Sequence, residues 1–238
     1  MPTDLEQNVV IVTGGSQGIG AGIAAAYREL GWSVVATART ITPTGDPDVL
    51  TVEGDLASPA TAARILSQAL ARFGHVDTLV NNAGVFVSKP FTEYSAADYA
   101  TVVGTNLDGF FALTQLVVGH MLDRGRGHIV NMTATLAEYS DSSSPSVLAA
   151  LTKGALASAT RSLAIEYAAR GLRVNAVSPG VVQTPLHPPE SYVEAAERTP
   201  LGRVGQVGDV ARAVLFLEAS PYVTGEILHV DGGRSAGR

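Results

Sequence analysis

The run Thr13-Gly14-Gly15-Ser16-Gln17-Gly18-Ile19-Gly20 stands between the apolar segment Val9-Val10-Ile11-Val12 and a stretch where Ile19, Ile23, Ala26, Tyr27 and Leu30 follow helical spacing. Strand, glycine loop and helix follow one another without a gap. Glycines permit a tight turn and let backbone N–H groups come close to a diphosphate, while the helix N-terminus behind them offers unpaired donors and a positive dipole end. A lone glycine triplet often marks only a turn. Here the apolar run Ser33-Val34-Val35-Ala36-Thr37 returns after Gly31 as the second strand of a βαβ unit, and that context points to a dinucleotide.

The alternation continues along the chain. Asp48 to Glu53 reads as a strand, and Ser58-Pro59 as an N-cap and first position of a helix running to about Phe73. Leu79-Val80 leads into Asn81-Asn82-Ala83-Gly84, Ser95 caps a long helix reaching Met121, and Gly127 to Asn131 is the next strand. Ser144-Pro145 signals a helix to about Ala169, followed by a strand from Arg173 to Ser178, a helix from Val207 to Leu217 and a strand from Ile227 to Val230. Strands alternating with helices of this length imply an α/β fold, a doubly wound parallel sheet with helices on both faces and a ligand at its strand carboxyl ends. At 238 residues, the chain is expected to be a single Rossmann-type domain over 1–238 with a seven-stranded sheet. Two irregular segments follow strands and should border the crevice: about 133–146, rich in Ser, and 181–197, with Pro185, Pro188 and Pro189, the second as a mobile lid.

Hydrophobic residues make up 46% of the chain and charged ones 16%, which suits a sheet covered on both faces. The net charge of −6 and scattered Lys and Arg argue against nucleic acid and anionic membranes as partners. With no cysteine, disulfides, thiolate-bound zinc and a thiol nucleophile are excluded. No apolar run reaches the roughly 18 residues of a membrane span and no signal-peptide pattern is found, so a cytoplasmic location is expected. His75, His120, His128, His187 and His229 lack metal-ligand spacing, so they read as structural or surface residues and no metal is expected.

Thr13-Gly14 to Gly20, Asn81-Asn82-Ala83-Gly84, Asn106, Lys153, Ser178-Pro179-Gly180 and Val230-Asp231-Gly232-Gly233 together resemble the short-chain dehydrogenase/reductase family over almost the whole chain. Tyr222-Val223-Thr224-Gly225 before the last of these is similar to the 3-oxoacyl-carrier-protein reductase branch. The resemblance implies a nicotinamide cofactor, a small-molecule carbonyl or alcohol substrate, an Asn-Ser-Tyr-Lys tetrad, and a homodimer or homotetramer. It places Asn106 and Lys153 in that tetrad, with Thr152-Lys153-Gly154-Ala155-Leu156 resembling the family's lysine segment. The family tyrosine lies four residues before the lysine, where this chain has Ala149, and the family serine aligns with Ala134. Thr133, Thr135, Tyr139 and Ser146 are the hydroxyls that could substitute. Ser146, seven residues before Lys153, falls on the lysine's face if the helix has begun, yet first-turn serines are also ordinary.

The same resemblance assigns Gly14, Ser16, Gln17, Gly18, Ile19, Gly20, Asp55, Leu56, Asn82, Ala83, Gly84, Lys153, Pro179, Gly180, Val182 and Thr184 to the cofactor, the last two near its carboxamide. Asn81 is expected to brace the backbone instead. Asp55 has a second reading as a local turn cap. At the end of the second strand, where an acid selects NAD, the chain has Ala38-Arg39. An arginine there can pair with a 2′-phosphate, which favours NADP(H) over NAD(H); the alternative is a solvated loop charge. Three functions stand open: an NADP(H)-dependent carbonyl reductase or alcohol dehydrogenase with a degenerate tetrad, a non-redox enzyme using the same pocket, and a catalytically silent NADP(H)-binding protein or partner subunit.

Overall fold

A computed structural model describes residues 7–140 and 144–237. The apolar runs become seven parallel strands: β1 (Val9–Thr13), β2 (Ser33–Ala38), β3 (Val49–Glu53), β4 (Thr78–Asn81), β5 (Gly127–Met132), β6 (Leu172–Pro179) and β7 (Ile227–Val230). Their order is β3-β2-β1-β4-β5-β6-β7. The chain therefore leaves β1 toward one edge and returns beside it, with Val10 opposite Val34 on β2 and Thr78 on β4. That reversal is the switch point at which open α/β sheets hold ligands.

The helices are α1 (Gly18–Glu29), α2 (Pro59–Phe73), α3 (Ala96–Val103), α4 (Gly109–Arg124), α5 (Val147–Tyr167), α6 (Ser191–Glu197) and α7 (Val207–Glu218). Strand side chains alternate between faces. Val9 and Ile11 join Ile65 of α2, Leu113 and Val117 of α4 and Ala164 of α5 in one apolar layer. Val10 and Val12 join Ile23 and Tyr27 of α1 and Val210, Val214 and Leu217 of α7 in the other. Both faces of β1 are buried, so its unbroken apolar run is a requirement of the fold.

Local chemistry departs from the sequence reading in several places. Ser58 precedes α2 but makes no side-chain cap bond, whereas Ser95 and Asp98 form a reciprocal capping box on α3. The long helix expected after Ser95 is interrupted by a π-helical segment, Gly104–Asp108, which no proline announces. Helix α5 starts at Val147 rather than at Pro145, and Ser146 sits outside it. The segment 181–197 is not irregular throughout, because its last seven residues, Ser191–Glu197, are α6. Residues 141–143 of the Ser-rich loop lie outside the described residues. Contrary to expectation, the helical run Ala96–Arg124 has the length and mean hydropathy, 1.2, of a membrane span. Leu113, Val117 and Met121 on it are fully buried in the layer against the sheet, the pattern of a core helix.

Beneath the amino ends of the strands lies a buried polar knot. Glu218, at the end of α7, accepts from Tyr27 Oη (2.7 Å), Thr78 Oγ1 (2.9 Å) and His128 Nδ1 (3.0 Å). His128 Nε2 faces two donors, Asn175 Nδ2 at 3.2 Å and Arg173 Nη1 at 3.4 Å, so Nε2 is the acceptor and Nδ1 carries the proton.

Candidate active site

At the carboxyl ends of the strands opens a cleft of about 970 Å³. The glycine loop forms one end, and β4 holds it in place. Thr13 Oγ1 accepts from the backbone N–H groups of Asn82 and Ala83, each at 2.9 Å, while Asn82 Nδ2 donates to the Thr13 carbonyl at 2.9 Å. Gly14 and Gly18 have φ of +67° and +55°, which a side chain would strain. A Cβ on Gly20 would lie 2.1 Å from the Gly14 carbonyl oxygen and 2.5 Å from Asn82 Nδ2. Loop and first helical turn are thus in backbone contact. Gln17 gives α1 no side-chain cap bond and its first turn holds no acid, an end that suits an anion.

Replacing Gly20 with Ala is expected to displace this loop, because the obstructing atoms include backbone that cannot swing aside. An overpacking cost of about 1–3 kcal/mol falls on the loop geometry. Isothermal titration should then show affinity for a dinucleotide reduced about tenfold or more.

Ser16, Gln17, Gly18, Ile19, Arg39, Asp55 and Leu56 line the same end. Arg39 is exposed there and has no ion pair among the described residues. Asp55 carries out its local role, accepting from Ala57 N–H at 3.0 Å, while also bordering the cleft. Asn81 does not brace the backbone as read from the sequence; its side chain donates to two buried side chains, Thr114 Oγ1 and Asn131 Oδ1, both at 3.0 Å. On the opposite wall stand Asn82, Ala83, Gly84, Pro179, Gly180, Val182 and Thr184. Thr184 reaches across to the loop, its Cβ 3.3 Å from where a Gly18 Cβ would be.

The centre of the cleft holds Lys153 and Ala149, one turn apart on α5. Lys153 Nζ donates to the Met132 carbonyl at 2.7 Å, and burial brings its pKa down to about 8. Asn106 lies in the π segment, where Oδ1 accepts from Val85 N–H (2.9 Å) and Nδ2 donates to the Val85 carbonyl and Thr152 Oγ1, both at 3.1 Å. A Cβ on Gly84 would lie 3.3 Å from both Asn106 Oδ1 and Lys153 Nζ. Glycine at this strand end therefore lets both side chains close on it.

The substitute hydroxyls fare unequally. Thr133 and Thr135 are buried, and their hydroxyls face β6: Thr133 donates to the Val177 carbonyl (3.1 Å), Thr135 to Asp231 Oδ2 (3.1 Å) and the Pro179 carbonyl (3.3 Å). Ser146 donates to the Ser144 carbonyl at 2.9 Å, because α5 has not yet begun there. Tyr139 borders the cleft half-buried, and Ala134 presents a methyl group to it. Sequence reasoning missed His187, Glu194, Arg198 and Arg234, which also line the cleft. His187 is half-buried, and burial lowers its pKa. Only its place in the proline-containing segment could have signalled it, since its spacing matches no motif.

Fold and cleft together define a class: a single Rossmann-type α/β domain, with its cleft at the switch point of the sheet. Residues 14–235 match the family model described as enoyl-(acyl carrier protein) reductase, and the chain belongs to the short-chain dehydrogenase/reductase family. It is 37% identical over 245 aligned residues to cis-4-hydroxycyclohexanecarboxylate dehydrogenase of Sinomonas cyclohexanicum, with 97% of each protein covered. The crystal structure of 3-ketoacyl-(acyl-carrier-protein) reductase from Brucella melitensis complexed with NADH superposes with a TM-score of 0.90 at 30% identity, covering 98% of this chain and 100% of that one. ElxO with NADP bound superposes with a TM-score of 0.89 at 27% identity, over 98% and 100%.

Proposed function

We propose that this protein is an NADP(H)-dependent oxidoreductase acting on a carbonyl/alcohol pair, with its tetrad reduced to Asn106 and Lys153. The observation that carries this reading is the convergence of the glycine cradle and Lys153 on one cleft, with no side chain at Gly84 to separate them. The nicotinamide cofactor would supply or take up the redox equivalent at the substrate carbon.

Gly14 and Ser16 to Gly20 would hold the diphosphate, Asp55 and Leu56 the adenine, and Asn82 to Gly84, Pro179, Gly180, Val182 and Thr184 the nicotinamide end. Lys153 would bind the ribose, and Asn106 fixes the backbone at Val85 beside it. Relatives whose structures hold NADH and NADP support the cofactor class. Arg39 supports the phosphorylated form, because a guanidinium with no ion pair among the described residues meets a 2′-phosphate with charge-assisted bonds. Replacing Arg39 with Ala should weaken NADPH binding about tenfold and leave NADH binding within about twofold, read by fluorescence titration. Homo-oligomerisation belongs to the same reading, supported by exposed Tyr99, Phe111, Leu116 and Leu151 on α3, α4 and α5.

NADPH consumption over a panel of ketones, β-ketoacyl thioesters, quinones and enones tests the function. Turnover with at least one class is expected. A flat absorbance despite confirmed NADPH binding would favour the silent binding protein.

A further inference from the structure

We propose that the Lys153 ammonium itself delivers the proton to the substrate oxygen, a role that rests on the carbonyl-reductase reading above. The geometry reaches this by position and by the bonds that occupy the neighbouring hydroxyls. Ala149 precedes Lys153 by one turn, both line the cleft, and the methyl group at 149 offers no hydroxyl beside the ammonium. Among the described residues Nζ has one hydrogen-bond partner, the Met132 carbonyl, while an ammonium has three N–H groups to give.

The neighbouring hydroxyls and amide are committed elsewhere. Thr133, Thr135 and Ser146 donate to backbone carbonyls or to Asp231, and both ends of the Asn106 amide are held by Val85 and Thr152. The other titratable side chains lining the cleft are Arg39, Asp55, Tyr139, His187, Glu194, Arg198 and Arg234. None of them bonds to Lys153. Burial lowers the ammonium pKa toward the operating range of a general acid.

In the reductive direction a bound reduced nicotinamide would supply the hydride, with its electron pair, to the carbonyl carbon. The carbonyl π pair takes the proton from Nζ, giving the alcohol and a neutral amine. Water then returns a proton to the amine. Oxidation of the alcohol runs through the same steps reversed.

The test begins on the protein without cofactor. Competitive acylation of amines as a function of pH, read on the Lys153 peptide by mass spectrometry, should give a midpoint near 8. A midpoint at the ordinary value of 10.5 or above overturns the proposal. With NADPH and a ketone substrate, the rate of reduction should fall about tenfold per pH unit above that midpoint, since the protonated form is the active one. Lys153→Arg keeps the charge but releases no proton near neutrality, so its rate should drop about 100-fold or more and lose this dependence. Circular dichroism confirms that the variant is folded.

A limb that persists in Lys153→Arg, or one abolished in Tyr139→Phe or His187→Gln, would assign the proton elsewhere and overturn the proposal. In both cases the reductase reading stands. Failure to reduce any carbonyl with NADPH bound removes both.

Discussion

Tyrosine installed at position 149 is expected to raise the rate of NADPH-dependent ketone reduction by about two orders of magnitude or more. The gain is expected above pH 8, where Lys153 has lost the proton it gives while a phenol keeps its own, because a positioned donor contributes about 10²- to 10⁴-fold and Ala149 and Lys153 are adjacent on one face of α5. Ala149 is only 4% exposed, so a larger side chain meets neighbours and costs about 1–3 kcal/mol of packing. Phenylalanine at the same position carries that cost without the hydroxyl. The gain must therefore appear as a difference between Ala149→Tyr and Ala149→Phe in kcat/KM. Equal rates in the two variants would mean that Lys153 does not face the reacting oxygen.

Removing Glu218 should lower stability by about 3 kcal/mol or more, measured by urea unfolding of Glu218→Ala. Its Oε2 holds Tyr27, Thr78 and His128 at once, and the substitution leaves these buried donors unpaired beside the Arg173 guanidinium. Burial alone would push the Glu218 pKa up, but the bonds from His128, Tyr27 and Thr78 outweigh it and hold the value below the usual one. Burial keeps His128 neutral by pushing its pKa down, against the pull of Glu218.

Both shifts make the unfolded chain bind more protons than the folded one, so stability rises with pH wherever they operate. Acidification below the ordinary histidine value of 6.5 costs the His128 contribution first. The Glu218 contribution, complete above the ordinary value of 4.5, goes as pH drops through its lower folded value.

What the sequence made legible was whatever depends on period and punctuation. Strand β7 ends at Ile227 and Val230 as read, and α2 starts at Pro59 and ends at Phe73, because a proline and Gly74 in the left-handed region mark its limits. The π segment carrying Asn106 was not legible, since no proline in the sequence marks it. The glycine end of the cleft was readable because a strand runs into the glycines, a helix runs out of them and a second strand returns after Gly31. The substrate end was not. Thr133 and Thr135 alternate correctly for a strand-end site, but whether a hydroxyl faces the cleft or β6 is decided by bonds to Val177, Pro179 and Asp231, which no local pattern encodes. His187 entered the cleft from a segment whose course depends on contacts such as Thr184 against Gly18.

A crystal structure of the NADPH complex tests the central claim most directly. It should place Lys153 Nζ within hydrogen-bond reach of the nicotinamide ribose, with the volume beside Ala149 free of any phenol and no tyrosine oxygen within about 3 Å of where the substrate oxygen sits. Lys153 turned away from the cofactor, or the Tyr139 hydroxyl standing in that volume, would contradict it.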